Sequence, residues 1–107
     1  MYYVVADSYK DKEEWVKALP HSFPNGGRLL RDARNTVAVY DGRDLVVKRF
    51  KRVAIIQAIA YTFFRPTKAR RAYYYAERLL SLGIATPKPV AFIEIKEGLL
   101  FRRGFFI

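Results

Sequence analysis

Two short runs rich in β-branched and aromatic residues, Thr36–Tyr40 and Leu45–Phe50, flank the dipeptide Asp41–Gly42. Asp-Gly readily takes the positive φ angles of a tight hairpin turn, so the two runs are expected to pair as antiparallel strands. Alternation along the second strand puts Val46, Lys48 and Phe50 on one face, and Leu45, Val47 and Arg49 on the other. Lys48 therefore stands in an apolar strand, two residues after a valine on its own face. Such a lysine has two readings. It is an exposed residue on an edge strand, or it is the ammonium that a phosphotransferase sets beside nucleotide phosphates while the valine packs on the base.

The rest of the chain can be arranged around this hairpin. Tyr2–Ala6 reads as a short strand. Ser8 reads as the N-cap of a helix over about residues 9–19, with acids in its first turns, Trp15, Val16 and Leu19 as its apolar stripe and Pro20 at its end. His21–Gly27, with its prolines and glycines, reads as a loop, and Gly26–Gly27 as a turn in preference to a phosphate loop. Residues 1–27 then form an N-terminal extension. Arg28–Arg31 reads as a strand joined to Thr36–Tyr40 by a turn over Asp32–Asn35. Arg31, Arg34 and Asn35 offer donors that could lie over phosphates. The glycines of a nucleotide flap are missing there, and a solvated hairpin turn accounts for the same residues.

Beyond Lys48, the run Val53–Phe64 has only Gln57 and Thr62 as clearly polar members, with Lys51, Arg52 and Arg65 around it. It is too short to cross a bilayer. It reads as a partly buried helix, or as one lying in a membrane interface between basic anchors over 51–65. After Pro66, Thr67 reads as the N-cap of a helix from Lys68 to about Leu82. Its stripe of Ala69, Ala72, Tyr73, Ala76, Leu79 and Leu80 belongs against a sheet. Glu77 has no basic neighbour at helical spacing and can reach Lys48 on the adjoining strand, or serve as an ordinary surface glutamate. Gly83 suits the position after the helix. Val90–Ile95 and the segment from Leu99 flank a hairpin at Lys96–Gly98. The apolar end, Phe105–Ile107, reads as an interrupted domain.

Charge narrows the partners. The 107 residues hold 20 Lys and Arg against 10 Asp and Glu, a net charge of +10. Between Asp44 and Glu94 the only carboxylate is Glu77. An anionic partner is implied: nucleic acid, acidic lipid or a phosphorylated substrate. With no cysteine and one histidine, His21, the chain has no disulfide framework, thiolate metal site or histidine-based triad. No signal peptide pattern opens it, which points to the cytoplasm.

Taken in order, the strand pair, the strand carrying Val46–Lys48, the core-facing helix and the final hairpin resemble the N-terminal lobe of a protein-kinase-like fold. More narrowly, Arg34–Asn35, Val46–Lys51, Phe64–Arg71 and Gly83–Ile93 resemble the lipopolysaccharide kinase (Kdo/WaaP) family, over about Trp15 to Ile107. The resemblance implies an α+β fold with an antiparallel sheet of about five strands, one packed helix and an extra N-terminal helix.

It also implies an activity: ATP-dependent phosphorylation of a sugar in the lipopolysaccharide core. The setting would be the cytoplasmic face of the inner membrane, with ATP and Mg²⁺ as cofactors and an anionic lipopolysaccharide precursor as acceptor. Lys48 would contact phosphate, Val46 would line the adenine pocket and Glu77 would stand in as partner to Lys48. The family's helix glutamate lies nearer the helix start, where this chain has Ala72 and Tyr74. No Asp-x-x-x-x-Asn catalytic loop or metal-binding Asp motif follows, so the chain alone should be inactive and need a C-terminal lobe, in cis or in trans. The rival readings are a basic nucleic-acid-binding module and a pseudokinase-like, membrane-docking fragment with no chemistry. Nucleic acid is disfavoured because Phe50, Tyr73 and Phe92 fall at core positions.

Overall fold

The computed structural model describes residues 1–107. Its strands are β1 (Tyr2–Val5), β2 (Arg28–Asp32), β3 (Thr36–Tyr40), β4 (Leu45–Arg49), β5 (Ala91–Glu97) and β6 (Leu100–Phe106). The helices are α1 (Glu13–Ser22), α2 (Ile55–Phe63) and α3 (Lys68–Ser81). The chain is α+β, with one antiparallel sheet in the order β1-β5-β6-β4-β3-β2. The sheet has six strands where about five were expected, because β1 adds itself to the outer edge of β5.

The expected pairing of Thr36–Tyr40 with the Lys48 strand is present, with Tyr40 opposite Leu45 and Val37 opposite Lys48. The turn is built differently. Asp41–Arg43 form one 3-10 turn, and the positive φ, 57°, falls on Asp44 and not on Gly42. Four residues separate the paired ends, so the link is a turn plus one left-handed residue, a conformation Asp tolerates. The β5–β6 hairpin closes on two residues, Gly98 and Leu99, with Gly98 at φ 65°. Glycine at the first central position fits a two-residue turn whose twist matches the strands.

Alternation then sorts the side chains into two layers. On one face Ala38, Val47, Ala91, Ile93 and Phe105 pack with Val16 and Leu19 of α1 and with Phe23. Trp15 meets the Tyr40 ring edge-on at 5.0 Å, and Phe23 meets Phe105 at 5.7 Å. Each large side chain buried here stabilises the fold by about 1.5–3 kcal/mol. Residues 1–27 are thus part of this core: they supply an edge strand and its covering helix.

The start and stop of α1 differ from expectation. Asp7–Lys12 forms 3-10 turns broken at Tyr9, and the α-helix begins at Glu13. Ser8 caps nothing. Pro20 lies inside the helix, which continues to Ser22. A proline removes one N–H, yet the last turn still closes through Phe23 N–H donating to the Leu19 carbonyl at 2.8 Å.

On the other face, α3 lays Ala69 and Tyr73 over Phe92, with Val4, Phe50 and Phe106 beside them. Both ends of α3 follow the sequence. The Thr67 hydroxyl accepts from the Arg70 N–H at 3.1 Å. At the other end Ile84 N–H donates to the Leu79 carbonyl and Gly83 N–H to that of Leu80, both at 3.0 Å, with Gly83 at φ 79°. These are the two reverse bonds of a Schellman ending, which glycine allows without a Cβ penalty. Gly104 on β6 lets the helix come close, since a Cβ there would sit 3.1 Å from that of Ala69.

Helix α2 buries only Ala58. It is fixed to β6 through Thr62, whose Oγ1 accepts from Phe101 N–H at 2.8 Å. No helix is long and apolar enough to cross a membrane.

Candidate functional site

Lys48 projects from the α3 side of the sheet because Val47, its neighbour, is fully buried on the α1 side. Its strand is central, not an edge: Lys48 lies between Val37 of β3 and Phe106 of β6. The side chain is half-buried, with Nζ 5.0 Å from the centre of the Phe50 ring. It borders a cleft of about 540 Å³, within the usual size of a small-molecule site.

Four parts of the chain close on this cleft. The β2–β3 arm brings Arg31, Arg34 and Asn35; the segment after β4 brings Lys51 and Arg52; Gln57 and Tyr61 come from α2; Lys68 comes from the start of α3. Phe101, Arg102 and Gly104 of β6 form the remaining wall. Asn35 fixes the arm to the segment after β4, its Oδ1 accepting from Lys51 N–H at 3.0 Å.

The charge at this cleft is of one sign. Seven of the lining residues are Lys or Arg and none is Asp or Glu. Only Arg52 has a partner: its Nε donates to Glu97 Oε2 at 3.0 Å, and its Nη2 meets Glu97 Oε1. That hydrogen bond holds the Glu97 carboxyl below the usual range. Arg31, Arg34, Lys48, Lys51, Lys68 and Arg102 make no ion pair. Unneutralised cations around a concave surface focus a positive potential that favours an anion carrying several charges.

Two sequence-predicted residues stand elsewhere. Val46 shares the face of Lys48 but lies outside the cleft and is 51% exposed. Its partner is Val39, next to the turn of the hairpin and away from the cleft. Glu77 makes no ion pair with Lys48 and is exposed. The reason is which end of α3 meets the cleft. Lys68 and Ala69 border it, and nine residues of helix carry Glu77 about 13 Å further along the axis. Glu77 instead stands beside Tyr73, whose hydroxyl is pushed up to about 12 by burial first and by the Glu77 charge second.

The bond between helix and sheet that Glu77 was expected to supply is made by Glu94. Arg70 Nη2 donates to Glu94 Oε1 at 2.8 Å and Arg70 Nε to Oε2 at 3.1 Å. The Thr67 hydroxyl donates to the same Oε2 at 2.7 Å. Arg70 also stacks over the rings of Tyr2 and Phe92, at 5.1 and 5.6 Å. Sequence reasoning passed over Glu94, and over Lys68 and Arg102 as cleft residues. Lys68 was legible as the residue that follows a helix cap, and Arg102–Arg103 as a pair that alternation must split between the two faces.

Comparison with protein-family models, with curated proteins and with solved structures gives no match to this chain.

Proposed function

We propose that this chain is the ATP-binding lobe of a kinase acting on a sugar of the lipopolysaccharide core, with a protein-kinase-like N-lobe fold. The observation that carries the reading is Lys48, half-buried on a central strand and facing a cleft that also receives Arg31, Arg34 and Asn35. In kinase-type lobes the phosphate-binding lysine lies on the third strand. With β1 set aside, β4 is the third strand here, and α3 lies between it and the final hairpin.

The residues present fit the phosphates of ATP, which supplies the transferable phosphoryl group when bound. Lys48 offers a compact ammonium, while Arg31 and Arg34 offer planar forks that each reach two oxygens. Asn35 uses its Oδ1 on Lys51 N–H, so its amide NH₂ is left to donate. The same residues do not fit Mg²⁺. No carboxylate lines the cleft, and no group of three His, Cys, Asp or Glu side chains could hold a metal. On this reading the metal ligands and the catalytic base belong to a C-terminal lobe in cis or in trans, and the chain alone binds without transferring. The acceptor is an anionic lipopolysaccharide precursor at the cytoplasmic face of the inner membrane.

The test is titration of the chain with a fluorescent ATP analogue, with and without Mg²⁺. Binding insensitive to Mg²⁺ is expected, with Lys48→Met weakening it at least about tenfold, near 1.4 kcal/mol, and Glu77→Gln leaving it unchanged. Unaltered affinity in Lys48→Met overturns the reading. So does tighter binding to random single-stranded oligonucleotides that falls steeply with salt, which identifies a nucleic-acid module.

A further inference from the structure

Helix α2 exposes its largest apolar side chains. Ile55, Ile56, Ile59 and Phe63 are 62%, 83%, 42% and 64% exposed, and Phe64 at its C-terminus is 80% exposed. At about 100° per residue, the four helical positions fall within one arc of about 100°. The rest of the helix is committed to the protein. Gln57 and Tyr61, opposite the stripe, line the cleft, and on the flank beside Ile55 Ala58 is buried and Thr62 is bonded to β6. The apolar stripe is therefore a continuous unpartnered surface on an anchored helix.

Along the chain its flanks carry one charge sign, and the carboxylates near it in space, Glu97 and Glu94, are taken up by Arg52 and Arg70. No carboxylate occurs between Asp44 and Glu77. Lys51 stands before the helix and Arg65 after it, neither in an ion pair, with Arg65 stacked 5.6 Å from the centre of the Tyr61 ring. We propose that α2 docks this protein on an anionic lipid bilayer, lying along the interface with Ile55, Ile56, Ile59 and Phe63 in the acyl boundary and Lys51 and Arg65 among the headgroups.

Three observations select this occupant. A helix of nine residues is too short to span a bilayer but long enough to lie in its surface. Basic residues at both ends of an apolar stripe complement acidic headgroups. A second copy of the chain is disfavoured, because joining the two stripes would bring together Lys51 and Arg65 of two molecules of net charge +10. The docking stands on the helix alone. Taken with the kinase reading, on which this consequence rests, it sets the cleft beside the headgroups, because Gln57 and Tyr61 face the cleft from the same helix. The acceptor would then be reached at the bilayer surface and not from solution.

The experiment is co-sedimentation of the full chain with vesicles of phosphatidylglycerol and phosphatidylcholine, against phosphatidylcholine alone. Binding to the anionic vesicles only is expected, with Ile56→Ser/Phe63→Ser lowering partitioning at least tenfold. Each cation removed, as Lys51→Gln or Arg65→Gln, lowers it about fivefold. These side chains are exposed, so unchanged circular dichroism and melting confirm that the variants fold. Full retention of binding in Ile56→Ser/Phe63→Ser overturns the proposal, as does equal binding to neutral vesicles. A concentration-dependent dimer abolished by the same double variant also overturns it, in favour of self-association. Lys48→Met should keep vesicle binding whatever it does to nucleotide, so failure of the docking and failure of the kinase reading are separable.

Discussion

Replacing Glu94 with Gln tests what fastens α3 to the sheet. Glu94 has 12% of its side chain exposed and accepts three hydrogen bonds, two from Arg70 and one from the Thr67 hydroxyl. Glutamine keeps the shape, but it turns one acceptor oxygen into an NH₂ group that must face a donor and removes the charge from the others. Hydrogen bonds to a charged group contribute about 1.5–3 kcal/mol each in such sites. Arg70 is 39% exposed, so water replaces part of the loss and the lower end applies, about 2 kcal/mol. For a domain of this size that is a fall in Tm of about 10 °C.

Urea and thermal denaturation measure the change, and Asp41→Asn is the comparator. Arg28 and Asp41 also form a two-bond pair, but their side chains are 61% and 64% exposed, and breaking so exposed a pair changes stability little. If Glu94→Gln loses no more than Asp41→Asn, the bridge contributes nothing beyond surface contact and the reasoning fails. Hydrogen exchange adds a local readout. The Arg70 amide, capped by Thr67, should lose protection in Glu94→Gln before the amides of β3 do.

Three further outcomes are expected. Gly104→Val should destabilise the fold by about 1–3 kcal/mol in urea, because its side chain enters the 3.1 Å gap to Ala69; adding Ala69→Gly should restore part of that, and strict additivity would refute the close approach. The Asp41 carboxyl, held low by its hydrogen bond to Arg28, should titrate by NMR below the ordinary carboxylate range and return to it in Arg28→Ala. Its small share of stability is present above the unfolded pKa and disappears as pH falls through the folded one. Tyr73, raised from 10.0 to about 12, holds its proton more tightly folded than unfolded. Stability should therefore fall as pH rises through that window, and Tyr73→Phe should flatten the fall. An identical slope in the variant would count against Tyr73 as a source.

The elements that could be read from the chain are those fixed by neighbours a few residues apart. Thr67 caps α3 and Gly83 ends it through bonds that span no more than five residues, so their chemistry is visible in the sequence. The alternation that buries Val47 and turns Lys48 to the other face is equally local. Where a local signal failed, packing or backbone detail intervened. Ser8 looked like a cap, but Tyr9 leaves the helical region, at φ −122° and ψ 20°, and packs against the core. Pro20 looked like a stop, but one missing N–H did not prevent the last turn from closing.

By itself the sequence determined that Lys48 faces a different layer from Val47, that α3 runs between its cap and its glycine, and that the segment after β4 is cationic without carboxylates. Only the tertiary structure decided what meets those cations. Helix α3 presents its N-terminal end to the cleft, which removes Glu77 from reach and gives the anchoring role to Glu94, 24 residues from Arg70 in the chain. The physical reason is range: caps and alternation are set by bonds between near neighbours, whereas the partner of a charge depends on strand order and on where a helix comes to rest across the sheet.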